Sequence, residues 1–387
     1  MDNINKRVFL TIALSALLLS CSRPGCTDSN CSNYDQKATE DDGSCQCEDS
    51  VINYIVPTTY DFSNVNTAGQ ELRLAMLSEM VTYLKRGDAG FKLSSDTLKA
   101  MFDHQVGEGC FNDAALNESA KQIKNKTYSL VVDQYVAYLD SAAVHSGDTV
   151  MGVLGTAGLV LSNDGEKSYL CDANGFEYTQ MFEKGLFGAF IFNQIANNYL
   201  TEEKIGNAVD NQTVVDGNGT NMEHHWDEAF GYFGVPTDFP SNTSSLKGIG
   251  KYANKRDALL GCNALIMDAF IKGRASISNN AYLERDSQVV IITNEIERVL
   301  VATAIHYLNA AKSNIADDAL RNHELSEAVA FTHAAAFNPT GKISLDRASQ
   351  ITALLGDNLY EVSILTIEAC KNELSSLYNL DDVKDEL

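Results

Sequence analysis

Proline is scarce in this chain. Its 387 residues include five, at positions 24, 57, 236, 240 and 339. Residues 58–235 and 241–338 therefore run without the residue that interrupts helices and is excluded from sheet interiors. Positive charge is also short, with 29 Lys and Arg against 52 Asp and Glu and a net charge of −23. A surface of that sign repels nucleic-acid phosphates and anionic membranes and attracts cations. Beyond residue 19 no apolar run reaches the length needed to span a bilayer. Gly-x-Ser-x-Gly, His-Glu-x-x-His, the phosphate-cradling Walker loop and Cys-x-x-Cys-His are all absent. Serine-hydrolase, zinc-protease, nucleotide and c-type haem chemistry thus have no visible seat.

What the chain does have begins at its N-terminus. Lys6 and Arg7 precede an apolar run from Val8 to Leu19, and Leu18-Leu19-Ser20-Cys21 has the pattern of a bacterial lipobox. The run is too short to cross a membrane and reads as a cleaved signal covering residues 1–20. Lipidation of Cys21 would tether the mature chain to a Gram-negative envelope, touching membrane through the anchor alone. Ser22 carries no acidic retention signal, which favours the outer membrane, facing either the periplasm or the medium. Residues 21–50 form an acidic leader holding Cys26, Cys31, Cys45 and Cys47 beside the lipidation cysteine. An even set of cysteines in an oxidising compartment favours disulfide staples. The leader resembles a short Gly-Cys-Thr-Asp/Asp-Asp-Gly-Ser-Cys module found as a stalk in secreted bacterial surface proteins. Its clustered carboxylates Asp28, Asp35, Asp41 and Asp42 offer the oxygen ligands calcium takes, though not at EF-hand spacing.

Residues 51–387 read as an all-α body, a helical bundle long enough for two packed bundle-like halves. Helices are expected over Gln70–Arg86, ending at Gly87, and over Thr127–Ala143 and Phe176–Leu200. Further helices are expected over Lys255–Ile277, Asp286–Lys312, Ala316–Phe337, 344–355 and 359–378. Phe176–Leu200 is apolar around most of its girth, so it should be central, with Gly185, Gly188 and Ala189 admitting a neighbour closely. Glu177, Gln180, Glu183 and Lys184 in its first turns read as a solvated helix start. Val150–Leu161 is broken by glycine and ambiguous.

The densest chemistry lies at 223–234, Glu-His-His-Trp-Asp-Glu-Ala-Phe-Gly-Tyr-Phe-Gly. On a helix, Glu228 falls three residues after His225 and four after His224, the spacings that share a face. Imidazole and carboxylate together are metal ligands or an acid–base pair. The segment is equally consistent with a buried helix start whose polar groups are tied internally. His323 and Glu327 repeat the four-residue theme and could contribute from a second helix. Trp226 and Asp227 stand within the string as ligand-binding candidates. Arg274, a cation in an acidic chain, could clamp a carboxylate of the protein or of a ligand.

Five strings occur in order: Thr58-Thr59-Tyr60-Asp61-Phe62, Glu183 to Ala189, Glu223 to Phe233, Gly273-Arg274-Ala275 and Leu325-Ser326-Glu327-Ala328. Together they resemble a family of bacterial envelope lipoproteins known only as a domain of unknown function, akin to the imelysins. The imelysin Gly-x-His-x-x-Glu core is approached by His225-Trp226-Asp227-Glu228, with Glu223 where the glycine would stand. That resemblance implies an all-helical fold of two bundle-like halves around a cleft, and a role in iron or haem acquisition. The expected function is a non-enzymatic, lipid-anchored binding protein for iron, haem, zinc or another metal or small ligand, handing it to an outer-membrane uptake receptor. The alternatives are an imelysin-type metallopeptidase, with His225 on metal and Glu228 activating water, and a structural or adhesion component of the cell surface.

Overall fold

The computed structural model describes residues 23–27, 33–41, 44, 53–147 and 150–387. Its contacts divide the chain into two units, residues 1–54 and 55–387. In the first, β1 (Pro24–Gly25) pairs in parallel with β2 (Glu40–Asp41). Asp35 there accepts from the Lys37 amide and sits 3.2 Å from the Arg23 guanidinium. Of the calcium candidates, Asp35 is thus engaged by a cation of the chain. Asp28 and Asp42 lie outside the described residues, as do Cys21, Cys31, Cys45 and Cys47, and only the backbone of Asp41 is described.

The second unit is helical, as the scarcity of proline implies. Its elements run α1 (Ala68–Asp88), α2 (Ser95–Phe102), α3 (Ala114–Asn117), α4 (Val132–His145), the hairpin β3 (Gly158–Leu161) and β4 (Ser168–Cys171), and α5 (Tyr178–Leu186). They continue with α6 (Glu202–Ile205), α7 (Asn221–Phe233), α8 (Gly248–Leu260), α9 (Cys262–Ser278), α10 (Tyr282–Ser313), α11 (Asp318–Ala335), α12 (Leu345–Thr352) and α13 (Ile364–Tyr378). One principal core runs through the unit, rather than two separate ones. Among the described residues no helix is long and apolar enough to cross a membrane.

The expected central helix is central, but its geometry changes partway. Past Leu186 the backbone continues as π-turns over Phe187–Phe192 and again over Ile195–Tyr199. The widened helix buries Phe187, Gly188, Ala189, Phe190, Ile191 and Phe192 on every side. Its small residues admit neighbours as their sequence suggested. A Cβ on Gly185 would lie 2.6 Å from the Tyr135 hydroxyl of α4, and one on Gly188 would lie 2.3 Å from the Ala334 Cα of α11.

Three expectations are corrected. Lys255–Ile277 is not one helix, because Gly261 takes a left-handed φ of 62° and separates α8 from α9. Gly87 does not end α1. It lies inside the helix, packed against Leu93 and Leu170, and the chain turns one residue after Asp88. Glu177, Gln180 and Lys184 are not solvated. They are 0%, 3% and 5% exposed, because α11 and the β-hairpin cover the start of α5.

The Gly188 contact yields a stability prediction. A methyl group there meets backbone, which cannot rotate away as a side chain could. Gly188→Ala should lower stability by about 1–3 kcal/mol despite the better helix propensity of alanine. A reduced urea midpoint with unchanged slope would show it.

Candidate functional site

The string 223–234 folds as α7, and its start is fixed locally. Thr220 accepts from the Glu223 amide while Glu223 accepts from the Thr220 amide, so two of the helix's orphan donors are satisfied reciprocally. The helix then sorts its charged residues by angle. Glu223 and Asp227, four apart, project one way. His224 and Glu228, one position on, are rotated by about 100°.

The first pair is a clamp inside the protein. Arg274 of α9 donates from Nη1 to Glu223 at 2.6 Å and from Nε to Asp227 at 2.9 Å. Tyr60 donates to the same Asp227 oxygen at 2.6 Å, and Ser278 donates to Glu223 at 2.7 Å. The Phe62 ring lies 5.1 Å from the guanidinium, and Tyr60 stacks on Phe230 at 3.8 Å. Burial raises the Asp227 carboxyl to about 6 even with Arg274 beside it. Trp226 is fully buried and donates its indole N–H to the Phe270 carbonyl. Gly273 makes room for it, since a Cβ there would stand 2.0 Å from the indole. Trp226, Asp227 and Arg274, expected as ligand contacts, are 0–1% exposed; Asp227 and Arg274 pair with each other, and Trp226 with the Phe270 carbonyl. The reading they fit is the internal one, buried groups that hydrogen-bond within the protein.

The second pair faces outward. Glu228 keeps one oxygen, Oε1, accepting from Gln70 at 2.9 Å and from the Tyr199 hydroxyl at 3.1 Å. Its other oxygen lies 3.8 Å from Nε2 of His224, and both side chains are partly exposed, at 20% and 28%. His225 is turned toward the edge of Tyr199, with ring centroids 6.3 Å apart, and burial lowers its pKa. The nearer histidine partner of Glu228 is therefore His224. Lys126 sits over the Tyr199 ring at 5.8 Å, and its charge also acts on Glu228.

His323 and Glu327 do not meet each other. His323 bonds Glu177 of the α5 start at 2.5 Å and stacks on Tyr169 of β4, centroids 4.2 Å apart. Glu327 lies 3.4 Å from Lys184, whose ammonium also contacts Glu183 at 2.7 Å. The five metal candidates thus occupy three distinct polar clusters, and no three of them bring ligand atoms together.

The His323 cluster contains residues that periodicity alone did not single out. It opens onto a cleft of about 440 Å³ lined by Asp88, Tyr169, Glu177, Gln180 and Lys85 among others. Asp88 accepts from the Leu170 amide and the Thr179 hydroxyl. Burial, and then the charge of Glu177, push its carboxyl up to about 7. Burial likewise raises Glu324 to about 7. For His323, burial favours the neutral ring, but the charge and hydrogen bond of Glu177 outweigh it and raise the pKa. Besides His323 itself, named through its spacing to Glu327, the sequence signal for this cluster was a run of polar residues inside an apolar helix.

A pH dependence follows. Asp88, Glu324 and His323 all hold protons more tightly folded than unfolded. Each therefore contributes stability that is present at low pH and lost as pH rises through its folded value. As pH falls from about 8 to about 5, the melting temperature should rise more steeply, or fall less, in the parent than in Asp88→Asn, which mimics the protonated carboxyl. Equal slopes for the two proteins would refute the assignment to Asp88.

No curated protein and no solved structure matches this chain. Residues 57–358 match a family described as a domain of unknown function, DUF4856. The match takes in the clamp, the outward His224–Glu228 pair and the His323 cleft, and the chain belongs to that family.

Proposed function

We propose that this protein is a lipid-anchored envelope binding module that captures a divalent transition metal, iron or zinc, at His224 and Glu228. The observation that carries the reading is the division of labour on Glu228. Two neutral donors hold one carboxylate oxygen while the other is directed at the Nε2 edge of a partly exposed imidazole. Metal-binding carboxylates are commonly oriented in this way by outer hydrogen bonds. The spacing fits as well. Bonds of about 2.0–2.2 Å from a metal to nitrogen and oxygen put the two ligand atoms about 3.4 Å apart in tetrahedral geometry. The observed 3.8 Å closes to that value with a small side-chain rotation. Two protein ligands leave positions for water or for groups of a carrier, which suits capture and release better than permanent retention.

The remaining support is in the sequence. The Lys6-Arg7 start, the apolar run and the Leu18-Leu19-Ser20-Cys21 site favour export and lipidation at Cys21, and the strongly acidic surface favours the approach of cations. Transfer to an outer-membrane uptake receptor belongs to the same reading, as do disulfide staples in the leader.

Metal stoichiometry tests it, measured by mass spectrometry after equilibration with zinc or, anaerobically, with iron(II), in a Cys110→Ser background that removes the one free thiol of the helical body that is not buried. About one equivalent should bind. His224→Ala and Glu228→Gln should each lose it with the fold intact, since both positions are partly exposed and glutamine still accepts from Gln70 and Tyr199. Gln70→Ala, which frees Glu228 to rotate, should weaken binding by about 10–100-fold. Binding that is unchanged in all three variants would sink the proposal.

A further inference from the structure

A second set of ligand-type side chains lies in the loop after α2. Among the described residues, His104, Glu108 and Cys110 are the one group of three whose ligand atoms all lie within 4.8 Å of one another. The loop His104-Gln105-Val106-Gly107-Glu108-Gly109-Cys110 doubles back through two glycines in left-handed backbone, Gly107 at φ 84° and Gly109 at φ 67°. That reversal brings the Cys110 sulfur back to Nδ1 of His104.

The histidine is set up as a ligand. His104 is buried, and its Nε2 faces the Ser119 carbonyl at 3.1 Å. A carbonyl can only accept, so Nε2 carries the hydrogen and Nδ1 presents its lone pair. Anchoring one ring nitrogen on a carbonyl to fix the tautomer of the other is the usual arrangement for metal-bound histidine. Nδ1 points at the Cys110 sulfur, 3.5 Å away. Zinc bonds of about 2.3 Å to sulfur and about 2.0–2.1 Å to nitrogen give a sulfur–nitrogen separation of about 3.6 Å at the tetrahedral angle. A thiol–imidazole hydrogen bond would also satisfy that distance. However, the single thiol hydrogen is offered a second acceptor, the Ala100 carbonyl at 3.6 Å. The exposed Glu108 completes the trio at the solvent side, its Oε2 oriented by the Gln105 amide at 3.0 Å.

We infer that His104, Glu108 and Cys110 form a second divalent-metal site, of a softer type than the His224–Glu228 pair. A thiolate, an imidazole and a carboxylate select zinc-class ions in tetrahedral geometry, with the fourth position open to water or a ligand. The inference does not rest on the reading of α7, because the two sites share no residue and differ in having sulfur. Binding displaces the thiol proton to solvent.

Cobalt(II) titration of the full-length chain separates the two sites, since only a thiolate ligand gives a sulfur-to-cobalt charge-transfer band in the near ultraviolet. The expected result is that band at about one equivalent, with the strong visible absorption of tetrahedral cobalt. The band should vanish in Cys110→Ser and persist in the His224→Ala/Glu228→Gln double variant. Glu108→Gln, on an exposed loop and no threat to folding, should weaken cobalt binding by at least about 10-fold, the lower range for losing even an outer partner of a ligand. Absence of the band in the parent protein, or a band that survives Cys110→Ser, would overturn the site.

Discussion

A guanidinium that is 1% exposed cannot stand alone in a protein interior, and much of this molecule is arranged around Arg274. Removing one partner from such a buried pair leaves an uncompensated charge, at a cost of about 3–5 kcal/mol. The chain supplies Glu223 and Asp227 from α7, Ser278 from α9 and the Phe62 face from the segment entering the fold. Meeting those demands fixes the rotation of α7 about its own axis. Once Glu223 and Asp227 are committed inward, helical geometry leaves His224 and Glu228 no orientation but the outward one. The candidate binding pair is a by-product of the clamp, and its precision derives from it.

The all-α class and most helix positions were legible because they rest on local information: absent proline, apolar stripes and small residues at crossings. Two failures have local causes of a subtler kind. Gly261, expected inside a helix, adopts left-handed backbone and ends one, whereas Gly87, expected at a helix end, lies inside one as a packing notch for Leu93 and Leu170. Sequence alone does not distinguish those uses. The candidate site was half legible. The spacing of His224 and Glu228 named the pair, but the roles of Gln70 and Tyr199 depend on elements 158 and 29 residues away from Glu228. The pairing of His323 with Glu177, 146 residues apart, was invisible for the same reason, and its neighbour Glu327 turned instead to Lys184. The His104–Cys110 loop was overlooked because its residues follow neither helical nor strand periodicity, and its geometry comes from two glycines.

The thiols of the helical body differ in their surroundings. Cys110, Cys171, Cys262 and Cys370 are all free in the helical body, and the last three are buried. Burial raises the pKa of each, which keeps them protonated and poorly nucleophilic. Cys110 is the exception in position, partly exposed and beside an imidazole. A body that relies on helix packing has no structural need of disulfides.

The five separated strings that mark the family resemblance reduce, in three dimensions, to two contacts. Tyr60 and Phe62, the α7 string and Gly273-Arg274 converge on one knot, where the indole of Trp226 occupies the space that Gly273 leaves empty. Lys184 from the central helix and Glu327 from α11 form the other, at the crossing that Gly188 permits. In each knot one side chain fills the space, or meets the charge, that its counterpart leaves. Taken singly the strings look unrelated, yet in the fold each is one half of a shape or charge that another string completes, and what α7 turns toward solvent is the pair His224 and Glu228.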